Sequence, residues 1–194
     1  MLPFHSHPRS PSRFDPDAQR QRQALITHRR ARSLSLGPCM WLQFEDALTV
    51  QHQIEEVLAD QGDRSEAARE REAALYTHLL PDGRQWKATL LLGLPDSEQR
   101  ARDLPDLHEA AERLYVQLPK LPRVYAQPNA HLSGRSSAVH FLHFEFPPPL
   151  RVALLAGAAA SLGCDHDQYA YRRVIPMATL EHLRCDLAQL PARR

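Results

Sequence analysis

Glycine is scarce in this sequence, seven in 194 residues. None falls in a G-x-G-x-x-G or Walker pattern, so a phosphate-cradling loop is hard to build. G-x-S-x-G and H-E-x-x-H are missing too, which removes the nucleophile elbow and the zincin helix. Only three cysteines occur, Cys39, Cys164 and Cys185, with no C-x-x-C spacing. Neither a zinc knuckle nor a disulfide framework is indicated, and a reducing cytoplasm is the expected setting. The most apolar stretch, Val152 to Cys164, is bracketed by Arg151 and Asp165 and is well short of the roughly 20 residues a membrane-spanning helix needs. The amino terminus has no apolar core, so it does not read as a secretory signal. A formal net charge of +1 supplies no global attraction to nucleic acid or to membrane.

What is present is ordinary globular usage, 43% hydrophobic and 24% charged, enough for one domain with a sizeable core. Charge is unevenly placed: residues 1 to 32 carry seven arginines against Asp15 and Asp17, whereas residues 45 to 72 carry nine acids against three arginines. Residues 1–13, basic and rich in proline, have no hydrophobic period and are expected to be a disordered leader. Residues 14–194 are expected to form the domain.

The segment Ser136 to Phe146 reads as a strand. Period two sends His140, Leu142, Phe144 and Phe146 to one face and Val139, Phe141, His143 and Glu145 to the other. Apolar residues on both faces place it in the middle of a sheet, and Pro147 to Pro149 end it. Around it the sequence predicts a helix from Asp15 to about Arg30, a hairpin over Ser33–Leu36 and Met40–Phe44, and helices over about Asp46–Asp60 and Ser65–His78. A strand follows over Trp86–Leu94, a short helix over Asp96–Leu104, and strands over Arg113–Leu118 and Arg123–Ala126. A helix over Pro149–Ala158, a strand over Ala160–Cys164 and a last helix with Leu180, Leu183, Leu187 and Leu190 on one stripe complete the chain. Hairpin-length connections dominate, so the fold class is α+β, with a mainly antiparallel sheet and flanking helices.

Four places could carry chemistry. Glu45, His52 and Glu56 resemble a carboxylate-bridged metal set, but helical stepping puts them opposite the apolar stripe of Ala47, Val50, Ile54, Val57 and Leu58, facing away from the core. His143 and Glu145 share a strand face, suiting an ion pair or an acid–base couple. Tyr169, Tyr171, Arg172 and Arg173 could stack on or clamp nucleic acid. His140, Asp165 and His166 leave two readings open. Either they converge at one end of the sheet as ligands for iron, zinc or manganese, or His140 donates to a backbone carbonyl while Asp165 caps a turn.

Several motifs in order carry a resemblance: Phe44-Glu45-Asp46 leading into Leu48 to Gln51, Leu79 to Gly83 with Trp86 to Leu90, Ser137 to Leu142, and Leu162 to His166. Together they resemble an uncharacterised bacterial family, domain of unknown function three-five-zero-one, over nearly the whole chain from about Phe14. The family pattern matches at Glu45, Glu56, His140, Glu145, Asp165, His166 and Tyr169, and departs at His143, where Arg is expected, and at His52, where Tyr is expected. Members of that family are encoded beside rubrerythrin-like proteins and iron–sulfur oxidoreductases. The resemblance therefore implies an accessory protein of a non-haem iron or iron–sulfur redox or oxidative-stress system, binding a divalent metal or a partner of that kind. Two other classes stand beside it: a nucleic-acid module using the basic leader, and a small enzyme using Glu145 with a histidine.

Overall fold

The alternation read along residues 136–146 produces the strand around which one of two sheets is built. In the computed structural model, which describes residues 16–63, 65–93, 97–129 and 138–188, that strand is β7 (Val139–Glu145). It pairs antiparallel with β3 (Gln85–Leu92), from Gln85 opposite Glu145 to Leu91 opposite Val139. A hairpin of β1 (Ser33–Leu36) and β2 (Met40–Phe44) extends the sheet beyond β3, and the two-residue β6 (Gln127–Pro128) lies on the far side of β7. The second sheet has the order β5 (Arg123–Tyr125), β4 (Leu114–Gln117), β8 (Ser161–Cys164), β9 (Arg172–Val174), again antiparallel throughout.

Period two then determines the core. Trp86, Ala88, Leu90 and Leu92 of β3 share the buried face of the first sheet with Leu142, Phe144 and Phe146, and that cluster continues into Leu114, Val116 and Leu162 of the second. Helix α6 (Met177–Ala188) roofs it with Leu180, Leu183 and Leu187, and the Trp86 indole donates to the Leu183 carbonyl at 2.9 Å. Helix α5 (Pro148–Leu155) adds Leu150 and Leu154. On the other face of the first sheet, α2 (Ala47–Gln61) and α3 (Glu66–Tyr76) enclose a smaller cluster of Val50, Ile54, Leu58, Ala68 and Leu79, with Phe141 against it. Asp46 caps α2 through a reciprocal capping box with Thr49, and Gly62 closes it at φ 69°, where a side chain would be strained. Helix α1 (Pro16–Ala31) runs along the outside.

The fold class is the expected α+β, with three differences in detail. The strands divide between two sheets, because the chain after β4 turns back through Pro119 and Pro122 into its own hairpin. The short edge strands β6 and β9 have no alternation to announce them. The helix expected to stop at Leu104 continues as α4 (Ser97–Ala111) through Pro105. A helix-interior proline sacrifices one hydrogen bond, but beyond it Leu107, Ala110 and Ala111 are buried. The leader, Asp15 at the expected start of the first helix, Leu94, Asp96 at the expected start of the short helix, Ser136, Ser137 and Leu190 lie outside the described residues. No helix among the described residues is long and apolar enough to cross a membrane.

Candidate functional site

The continuation of α4 creates the region where unpaired polar groups gather. At about 100° per residue, the buried Leu107, Ala110 and Ala111 define its core face, with His108 on one flank and Asp106 on the other. His108 meets His140 of β7, their ring centroids 4.7 Å apart and their planes at 65°. Both Nε2 atoms are buried and neither has a hydrogen-bond partner. Burial and the neighbouring His108 lower the His140 pKa, against the opposing pull of the Glu112 carboxylate.

On the other side, the β8–β9 loop brings Asp165 and His166 against α4 and Arg113 beyond it. The Asp165 amide donates to the Arg113 carbonyl. Its Oδ2 accepts from Arg123 Nη1 and Tyr125 Oη, each at 2.7 Å, while Oδ1 is buried without a partner. His166 Nε2 is 3.8 Å from Glu109, and its Nδ1 is also buried and unpartnered. The loop is aimed by a stack in the second sheet: a Cβ on Gly163 would lie 2.4 Å from the Tyr115 ring, and the Arg123 guanidinium sits 4.2 Å above that ring.

Between this loop, α4 and the β1–β2 turn lies a cleft of ≈ 310 Å³, lined by Cys39, Asp106, His166, Gln168, Tyr169 and Tyr171, among others. Its floor is fixed by Tyr169, whose hydroxyl donates to the Leu36 carbonyl at 2.6 Å and accepts from the Cys39 amide at 2.9 Å. Burial pushes the Tyr169 phenol up to about 12. Gly37, at φ 62°, is required twice over, because a Cβ there would also come within 2.7 Å of Tyr169 and Tyr171.

Among the described residues no group of three His, Cys, Asp or Glu is placed to hold a metal ion, so His140, Asp165 and His166 do not form one ligand set. His140 turns to α4 from the first sheet, whereas Asp165 follows a strand of the second sheet and is taken by Arg123 and Tyr125. Glu45, expected to face away from the core, is buried between the Thr49 and Thr89 hydroxyls at 2.5 and 2.6 Å, and burial raises its pKa. It precedes the first helical residue, so helical stepping does not govern its direction. His52 and Glu56 do lie on the outer side, 3.4 Å apart. His143 turns to Gln127 at 3.2 Å and Glu145 is exposed. Tyr169 is buried and therefore no stacking surface. Arg172 and Arg173, though exposed, are tied to Ser161 and Ser35.

A second polar assembly had no local signal. Arg32, 2% exposed, donates to the Phe44, Glu45 and His182 carbonyls and to Asp186, and its Nε is 3.5 Å from Asp46. His28 Nε2 lies 2.7 Å from Asp46 Oδ2, with its ring edge-on to His182 beside a groove of ≈ 480 Å³ between α1 and α6. The helix start near Asp46 was legible, but the link from Asp46 to His28 and Arg32 was not.

Residues 10–187 match the model of a family described as protein of unknown function (DUF3501). The crystal structure of a novel protein of unknown function from Burkholderia pseudomallei K96243 is similar at 33% identity and a TM-score of 0.81, over 89% of this chain and 92% of that one. No curated protein matches the chain.

Proposed function

Because the chain belongs to the DUF3501 family, and because of what gathers around α4, we propose that it is a cytoplasmic accessory protein of a bacterial non-haem iron or iron–sulfur redox system. It works by binding a divalent metal or a protein partner of that system, a rubrerythrin-like or iron–sulfur protein. One observation supports a binding role at α4. Five buried side-chain nitrogen or oxygen atoms among the described residues lack a hydrogen-bond partner, and four of them, on His108, His140, Asp165 and His166, sit on α4 or against its end. Buried polar groups are ordinarily satisfied, so a cluster of exceptions marks groups that a ligand or partner would complete. The test is elemental analysis of the purified full chain together with capture of its endogenous partners. Iron, zinc or manganese at a reproducible fraction of an equivalent, with redox proteins captured, is the expected result; metal-free protein capturing none ends the reading.

A second reading, proton transfer, draws on His28 and Asp46 rather than on Glu145. A carboxylate holding one imidazole nitrogen fixes the tautomer and leaves the other nitrogen to act as base. Hydrolysis of a panel of small esters and amides that disappears in His28→Gln would support it, and inactivity of the parent across the panel would remove it.

A further inference from the structure

We propose that His108 and His140 form a two-imidazole site for a first-row divalent transition metal. This rests on the accessory reading above and assigns its metal-binding half to one pair of side chains.

An imidazole nitrogen that carries hydrogen needs an acceptor, and one that does not needs a donor. Buried away from both, each of these two Nε2 atoms is left with an unmet requirement. They do not meet it in each other, since the rings pack edge to face with centroids 4.7 Å apart and no hydrogen bond joins them. A metal ion accepts both lone pairs at once. One carboxylate is within electrostatic reach: Glu112, just past the end of α4, acts on His140 against burial and the neighbouring His108, which together disfavour positive charge there.

The pair is also carried on rigid elements, as ligation requires. His108 is flanked by the buried Leu107, Ala110 and Ala111, and His140 is held in the β3–β7 ladder opposite Leu90. Imidazole selects the ion class. Zinc, nickel and copper take nitrogen ligands readily, whereas magnesium and calcium take oxygen. With two protein ligands, water fills the remaining positions, so affinity falls below that of a closed four-ligand zinc site.

Calorimetric titration of chelator-stripped full-length protein with Ni²⁺, using Mg²⁺ as a control, tests the assignment. One saturable Ni²⁺ site is expected, with no response to Mg²⁺. His108→Gln and His140→Gln should each weaken Ni²⁺ at least tenfold, while His52→Gln, which removes the imidazole beside Glu56 on α2, should leave it unchanged. Melting curves verify folding, and if His140→Gln melts early, His108→Gln alone decides. No saturable Ni²⁺ heat, or binding that survives the substitutions, overturns the site. Absence of Ni²⁺ binding in a protein that still captures redox partners overturns this assignment and leaves the accessory reading standing. Ni²⁺ binding lost in the variants of a protein that captures no such partner upholds the site and removes that reading.

Discussion

The Arg32 guanidinium donates to the Asp186 carboxylate across 154 residues of sequence, fastening the α1–β1 junction to α6. Both side chains are almost fully buried. Replacing Arg32 with Met should cost about 3–5 kcal/mol, because it strands Asp186 and takes a donor from three backbone carbonyls. Urea denaturation measures this, and a loss below about 1 kcal/mol would mean that the guanidinium is not the fastener.

The same pair sets a pH window. Burial pushes the Asp186 carboxyl up to about 6 from 3.8, against the pull of Arg32. Between those values the folded state holds a proton that the unfolded state has released. Stability from this group therefore falls as pH rises through the window and stays low above it. Asp46 behaves oppositely: burial raises its pKa, but the Thr49 amide, Arg32 and His28 outweigh that and hold it below 3.8. Its contribution is present above 3.8 and is lost as pH falls below. In urea melts from pH 4 to 8, the stability of the parent minus that of Asp186→Asn should decline up to about pH 6 and then level off. A difference that rises over that range contradicts the assignment.

Leu183→Ala should cost about 2–5 kcal/mol, since the side chain is 0% exposed and its loss leaves a cavity above the first sheet. Denaturant titration with an unchanged slope is the measurement. A cost below about 1 kcal/mol would make α6 a peripheral helix.

Tyr169→Phe removes the hydroxyl that joins the Leu36 carbonyl to the Cys39 amide and should cost about 1–3 kcal/mol. Hydrogen exchange at the Cys39 amide should accelerate in the variant. Unchanged protection would show that the β1–β2 turn holds its shape without this bond.

Gly163→Ala should destabilise the second sheet by about 1–3 kcal/mol through overpacking, because the new methyl must displace the Tyr115 ring from beneath Arg123. Displacing that ring also loosens Arg123 on Asp165, so exchange at the Asp165 amide should rise together with the stability loss. A variant as stable as the parent would show that the ring has room to move.

The alternation of residues 136–146, the 33–44 hairpin and the leucine stripe of α6 were legible because each is a local period matched to its element. The candidate site was legible only in part. His140 was visible on its strand, but its companion His108 lies past Pro105, where sequence rules end a helix and tertiary burial of Leu107 and Ala110 prolongs it. Extending the helix to Ala111 places His108 on a flank beside its core face. Helical stepping does not predict where Glu45 points, because that residue precedes the first turn of α2. Arg32, His28 and Asp186 left no trace, since a buried ion pair spanning 154 residues has no periodicity.

The bond from the Trp86 indole to the Leu183 carbonyl has a consequence for the nascent chain. All five strands of the first sheet are made once Glu145 has been added, yet the face carrying Phe44, Trp86 and Phe144 gains its α6 roof only with residues 177–188. Until those residues emerge, an aromatic surface stands uncovered, of the kind that chaperones bind and that aggregates when they do not. A chain interrupted before Met177 therefore exposes apolar surface that α6 covers in the full chain.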